Sequence, residues 1–573
     1  MTKKLIYLLF IFSGLVAKAQ IPQQDISIDT SVFPKEKVEL SINSNVLLAG
    51  ELLQYKAFNL DLSNKKSKLS KILYVSMRNE NDSVVFVHKL KVENGTASGD
   101  FFTPATLQTG VYRLISYTNF SKNNTQDAYV EKNIYIINTF VKTIETKKAI
   151  DTVKVNLATI NPKEANTAKT VQITSSKKSY GFREKVILNL KNNIKSAGGN
   201  YILSIRKINP VEISEKVSKT AKSESSGIFY VPELRGELIS GLVLSNKEGK
   251  PVSGKEVSLT IPGKDFVFKI AKTNANGRFF FSVNEAYNVD QSIIQLYTSE
   301  EDAANYSLVL DKKDFDLGKS DPVALKLDSN LKDWLQERSV QLQIENAYFD
   351  TKKDSILNNK INPAFYDNLG TVFLLDDYTR FPSVKETFVE VVTMAAIRGS
   401  GTNSRFLVNN EYDPNGTAKF NDIPPLVLMD GMLVQNNDDL INFNAREINS
   451  IRVVTKPYRY GPKIYSGIIA VETKKGDFVP TISKNYVEEL NLPPVIKKKE
   501  QYSADYTDNA SLSRIPDYRV QLLWQPNVNL SREGYSTSFY TSDVSGDFEI
   551  SLEGYTDDGT FISSKNYFKV IEN

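Results

Sequence analysis

Polar and apolar residues alternate with a period of two along most of this chain. Val38, Leu40 and Ile42 are separated by polar positions, and the pattern returns over 55–59, 72–78, 84–90, 101–102, 111–118 and 134–137. A half-buried strand reads this way, because successive side chains leave opposite faces. Asn94-Gly95 and Thr109-Gly110 supply turns between the runs. Short strands at that spacing predict a β-sandwich over 38–145. Val186-Ile187-Leu188 and the run 201–206 predict a second over 165–230. Runs over 519–523, 536–540, 548–555 and 567–570, joined by Ser545-Gly546-Asp547 and Asp557-Asp558-Gly559 turns, predict a small Ig-like sandwich over 515–573.

The period lengthens from Asp328. Leu331, Trp334, Leu335, Arg338, Leu342 and Ala347 share helical spacing, which predicts a helical connector over 325–375. Ser383 and Glu386 form a capping box, and Val384, Phe388, Val391 and Val392 then fall on one helix face. Between 376 and 480 that helix precedes a strand, an Asp430-Gly431 turn, a short capped turn, a second strand, a glycine-bearing loop and a third strand. The order predicts one α+β domain. Pro493-Pro494 and the run Lys497-Lys498-Lys499-Glu500 read as a linker over 481–514, and 20–37 reads as a polar arm.

Composition narrows the setting. Lys3 and Lys4 precede an apolar run over 5–17 and an Ala17-Lys18-Ala19 cleavage signature, which together predict a signal peptide over 1–19. That run is short of the roughly 20 residues a membrane-spanning helix needs. The chain has no cysteine, which removes disulfides, thiol nucleophiles and the lipidated cysteine of envelope lipoproteins. An exported protein that is not a lipoprotein is the expectation. The 71 basic and 67 acidic residues nearly cancel, which argues against a nucleic-acid partner.

Several stretches resemble known families. Gly50-Glu51, Tyr55-Lys56-Ala57, Leu73-Tyr74-Val75, Asn94-Gly95-Thr96-Ala97-Ser98-Gly99 and Gly110-Val111-Tyr112-Arg113-Leu114 resemble the macroglobulin-like domains of bacterial alpha-macroglobulins. Tyr180, Arg183-Glu184 and Val186 resemble the entry to the next such domain. That family's reactive thioester needs a cysteine, so this chemistry is excluded here. Ile239-Ser240-Gly241, Gly249-Lys250-Pro251-Val252 and Asn276-Gly277-Arg278-Phe279 resemble the carboxypeptidase regulatory-like module, a non-catalytic appendage, which implies a further β-sandwich over 235–310. The stretch 424–476, with its Asp430-Gly431 turn and its Gly467-Ile468-Ile469 and Thr473-Lys474-Lys475-Gly476 segments, resembles the plug of TonB-dependent outer-membrane receptors. Trp524 and Pro526 resemble the terminal β-domain of Bacteroidetes envelope proteins. The fold class implied is mainly β, with tandem Ig- and macroglobulin-like sandwiches plus one α+β plug-like domain.

A receptor barrel of about twenty-two strands does not fit after Gly476, so the plug resemblance implies contact rather than transport. The expectation is an accessory subunit docked on an outer-membrane β-barrel protein or multiprotein complex for uptake, secretion or barrel assembly. The alternative is a free periplasmic or cell-surface binding protein for peptide, glycan or envelope components. Tyr458, Arg459, Tyr460 and Tyr465 are the candidate partner-binding residues, since Tyr and Arg are enriched at interfaces. The other reading of these rings is packing on their own domain.

Candidate chemistry is thin. Asp430-Gly431 reads as a turn rather than half of an acid–base pair. Lys474-Lys475-Gly476 ends a strand and lacks the helix and Ser or Thr of a P-loop. Asp376-Asp377 and Asp438-Asp439 lack the ligand spacing of a calcium loop. Gly399-Ser400-Gly401 lacks the flanks of a nucleophile elbow. His88 is the sole histidine, so neither a catalytic triad nor a histidine metal site assembles. No enzyme, cofactor or metal is expected, and the sequence names no small-molecule ligand.

Overall fold

The computed structural model describes residues 33–572, apart from 125, 143–150, 159–169, 194–197, 215–228, 312–322, 358–362, 400–403, 410–422, 479–485, 508–511 and 532. The expected leader and most of the expected arm lie outside the described residues. Glu36–Asn573 is one compact unit, distinct from Met1–Lys35. Glu36 and Lys37, expected in the arm, already belong to the first strand. The architecture is mainly β, with sandwiches and one mixed domain.

The first sandwich is built from one continuous stretch. Glu36–Ile42, Leu52–Asp61 and Thr96–Phe102 make a three-stranded sheet. Val46–Leu48, Val130–Ile137, Gly110–Tyr117, Ile72–Arg78 and Val84–Lys91 make the facing five-stranded one. Their inward residues Leu40, Leu53, Val75, Leu114 and Ile136 close the core.

The second sandwich also has three strands facing five, but it comes from two distant parts of the chain. Val171–Ser175, Lys185–Asn192 and Tyr535–Tyr540 form one sheet. Ser179–Tyr180, Phe561–Val570, Gly546–Thr556, Gly199–Lys207 and Gln521–Asn529 form the other. This corrects the expectation of separate domains at 165–230 and 515–573. Lys185–Asn192 pairs with Tyr535–Tyr540, and Gly199–Lys207 is flanked on both sides by C-terminal strands. Val186, Leu188, Leu203 and Ile205 share one core with Phe539, Phe548 and Ile550. Neither segment alone would cover its apolar face or pair its strand edges.

The third sandwich places Arg278–Val283, Glu237–Ser245 and Tyr306–Leu310 against Val267–Lys272, Glu256–Ile261 and Gln291–Leu296. A seventh strand, Val487–Asn491, comes from the expected linker and pairs with Gln291–Leu296. The segment continues as a strap. Leu492 is buried in the third core, Ile496 packs on the first, and Lys499–Glu500 pairs with Ser355–Ile356. The described part of 481–514 is therefore structural rather than a free linker. Its prolines and lysines read as loop composition, while its apolar residues find surfaces supplied from elsewhere in the fold.

In the mixed domain the strand order is Thr371–Leu374, Ile448–Val454, Ile468–Thr473, Leu426–Met429, Met432–Leu433. Helices Val384–Glu390 and Asn437–Ile441 contribute Phe388 and Leu440 to its core. Ser383 caps the first of them by accepting from the Glu386 N–H at 3.2 Å, as the capping box predicts.

Buried charges join these parts. The connector helix Lys332–Ala347 brings Arg338 to Glu51 of the first sandwich, where Arg206 of the second also donates at 3.2 Å. Lys89 of the first sandwich pairs with Glu237 of the third and donates to the Pro493 carbonyl of the strap at 2.7 Å. A half-buried pair joins the two halves of the second sandwich, where Arg183 binds the Asp543 carboxylate with two nitrogens, at 2.7 and 2.6 Å.

Candidate functional site

Two sandwiches that pack by their sheet faces leave a gap wherever their twists diverge. Here the contact is apolar at Phe58 and Leu60 against Ile202, Trp524 and Tyr555. Beside it lies a cleft of about 920 Å³. Its floor is the outer face of the five-stranded sheet in the second sandwich. Strand alternation puts Ile202, Ser204 and Arg206 on that face, and pairing sets Glu553, Ser551 and Glu549 opposite them. Lys565 on the next strand pairs with Glu549 at 2.9 Å. One wall is the end of the Glu36–Ile42 strand and the turn after it, with Ser41, Asn43 and Ser44. The Val211–Ile213 strand closes the end.

The electrostatics of the cleft are mixed. Glu549, Glu553 and Glu212 face Lys132, Lys207, Lys565 and Arg206, so neither sign dominates. Arg206 is buried, and burial lowers its pKa; Glu51 acts against that, while Arg338 adds to it. Burial pushes the Glu51 carboxyl up, yet the two guanidiniums outweigh it and hold the group below the usual carboxylate range. Such a surface offers dispersed donors and acceptors. It supplies no nucleophile–base pair.

The predicted contact residues lie on the hairpin Tyr458–Tyr460 and Lys463–Tyr465, which turns its tyrosines inward while Arg459 and Ile464 are exposed. Tyr465 is 1% exposed. Tyr460 stacks on Phe268 of the third sandwich and donates to its carbonyl. Tyr458 stacks on Phe365 and donates to its carbonyl at 3.3 Å. Lys463 lies 3.6 Å from the Tyr297 ring centroid and pairs with Glu256 at 3.0 Å. Of the four candidates only Arg459 is solvent-exposed. Tyr460 and Tyr465 thus set the hairpin against Phe268 and Tyr297 of the third sandwich, and Tyr458 sets it against Phe365, so the rings reach beyond their own domain, which neither expectation named.

The remaining candidates have structural surroundings. Asp430 (φ 48°) and Gly431 (φ 79°) form a turn that needs left-handed backbone at both positions. The Asp430 carboxylate accepts from the Thr473 N–H at 2.7 Å and the Phe478 N–H at 3.0 Å. A Cβ on Gly431 would lie 2.1 Å from Phe266, so the turn is fitted to the third sandwich. Asp376 pairs with Arg380, and Asp438 lies in the first turn of the Asn437–Ile441 helix, whose cap is Asn436. His88 packs among Phe86, Phe101 and Tyr55. Burial lowers its pKa to about 4 against an opposing pull from Asp100, so it is neutral at pH 7. Of Gly399-Ser400-Gly401, Ser400 and Gly401 lie outside the described residues. No group of three or more potential metal-binding side chains occurs among the described residues.

The cleft residues were not singled out in the sequence. Ser204, Ser551 and Glu553 look like the solvent face of ordinary strands. The available signal was charge inside an apolar run: Arg206, which lines the cleft, interrupts a stretch that otherwise reads as core.

No family model and no curated protein matches the chain. Among solved structures it is similar to alpha-2-macroglobulin of Escherichia coli activated by porcine elastase, at 10% identity and a TM-score of 0.24, covering 94% of this chain and 44% of that one. Salmonella alpha-2-macroglobulin reacted with methylamine gives 10% identity and a TM-score of 0.25, covering 94% and 40%. The Escherichia coli adhesin FdeC gives 12% and 0.14, covering 48% and 63%. The chain thus spans less than half the length of these macroglobulins, and the likeness bears on neither activity nor partner.

Proposed function

We propose that this chain is a non-enzymatic accessory protein of the bacterial outer membrane, docked on a β-barrel protein or on the complex that holds one. The observation that carries the reading is the free edge of the mixed-domain sheet. Thr371–Leu374 pairs with Ile448–Val454 on one side, and no described strand pairs with its other side. Val372 is 38% and Leu374 49% exposed there, with Leu369 and Tyr378 exposed beside them. A bare apolar edge is normally suppressed in a protein that works alone, because it templates association. The plug resemblance of 424–476 in the same domain points to a barrel as the partner.

Gentle extraction of native membranes followed by pull-down should recover the chain with a β-barrel protein. The double variant Val372→Lys, Leu374→Lys should lose that partner while the chain remains folded. Recovery of wild-type protein always alone would end this reading. The cleft favours the second reading, a free binding protein; it predicts release of the chain by osmotic shock or mild shear instead of retention with outer membranes.

A further inference from the structure

We propose that the cleft between the first and second sandwiches receives an extended segment of a partner polypeptide, which pairs as an added strand with Val211–Ile213. This goes beyond the docking reading above and rests on different residues. Val211–Ile213 pairs with Asp151–Leu157, which in turn pairs with Val323–Leu327, so it is the edge of its sheet. The hydrogen-bond parity fixes which groups are free. Ala158 N–H donates to the Pro210 carbonyl at 3.0 Å and Ser214 N–H to the Lys154 carbonyl at 3.2 Å. In an antiparallel ladder, residues 210, 212 and 214 then face the neighbouring strand, and Val211 and Ile213 turn their N–H and C=O outward.

That edge borders the cleft, and no described strand pairs with it. Its shortness and place matter. A long flat edge invites sheet-to-sheet aggregation, whereas a three-residue edge bordering a cleft admits a single extended chain. Main-chain pairing would then supply affinity, and the sheet floor would choose side chains. Ser204 and Ser551 sit opposite one another at its centre, with Glu549 and Glu553 on either side along the strand. This floor suits hydroxyl- or amide-bearing side chains, and the near balance of charge disfavours a polyanion. A sugar ring would find little aromatic face to stack on, since Trp524 is 5% exposed.

The test is fluorescence anisotropy of the full chain against a fluorescein-labelled positional-scanning hexapeptide library. Preferred hexapeptides should bind, and versions N-methylated at alternate amides should bind at least tenfold more weakly. Ile213→Pro removes an outward N–H at an edge position where proline is tolerated. Ser551→Trp fills the floor from the opposite side. Each variant should weaken binding at least tenfold with an unchanged thermal melt, and Ser551→Trp alone tests the site if the proline variant does not fold. Absence of any hexapeptide binding, or equal binding by the N-methylated peptides, overturns the proposal. So does glycan-array binding that Ser551→Trp abolishes, which would make the cleft a carbohydrate site. The Val372→Lys, Leu374→Lys variant leaves the cleft untouched, so failure of the docking reading shows separately.

Discussion

The first and second sandwiches each set three strands against five, yet they are assembled in opposite ways. In the first, the chain runs from Glu36 to Ile137 without leaving. In the second, it departs after Lys207 and returns at Gln521 to complete both sheets. A local sandwich closes its loops cheaply in entropy and folds as one segment. A split one closes a far longer loop, at a higher entropic cost and a slower rate. The difference makes the second sandwich a clasp: it fixes the C-terminal segment to the middle of the chain. The strap carrying Val487–Asn491 and Ile496 then lies across the third and first sandwiches.

The comparison breaks most sharply on truncation. Removing 515–573 should leave the 36–137 segment protease-resistant and render 171–207 rapidly cleaved, read by limited proteolysis and mass spectrometry. A resistant 171–207 fragment would mean that this half stands alone.

Next in size is Glu51→Gln, which leaves two buried guanidiniums without their carboxylate. Breaking a buried ion pair costs about 3–5 kcal/mol, read here as urea unfolding of the unit. The pH sign follows from the depressed carboxyl. Its contribution is complete above the unfolded pKa of about 4.3 and is lost as pH falls through the lower folded value. The variant should lack that acid-side slope.

Lys56, on the strand that follows Glu51, shows the contrasting case. It is fully buried at the junction of the two sandwiches, and its amine donates to Asn200 Oδ1 and the Pro526 carbonyl. Burial, aided by Lys66, lowers its pKa to about 6. Between there and the ordinary value of about 10.4 the unfolded state binds more protons, so this group makes stability rise with pH across that window. Lys56→Met should remove the slope and stabilise at pH 7 by about 1–3 kcal/mol, net of the hydrogen bonds lost. A less stable variant would mean that the amine keeps its charge.

The smallest effect belongs to Tyr460→Phe, which deletes the bond to the Phe268 carbonyl while keeping the ring stack. It should loosen the mixed domain from the third sandwich by about 0.5–1.5 kcal/mol, visible as faster hydrogen exchange at Phe268.

Period-two alternation, turn pairs and the Ser383–Glu386 cap are local quantities, set by backbone sterics and side-chain direction. They made the β class, the strand-rich segments and the Val384–Glu390 helix legible from the sequence. The Asp430-Gly431 turn was legible too, because few residues tolerate the left-handed backbone it needs. The sequence also named the Tyr458–Tyr465 segment as sticky, but left open what it adheres to. Only the tertiary structure decided that its rings meet Phe268 and Phe365, that two sandwich halves more than three hundred residues apart share one core, and that a linker-like segment adds a strand. The physical reason is common to all three. A half-buried strand advertises that it needs a partner on its apolar face and along its edges, but burial energy depends on area covered and not on which residue covers it. The partner's identity is settled by shape and by the few buried charges, Glu51 with Arg206 and Arg338 foremost, that fit in only one arrangement.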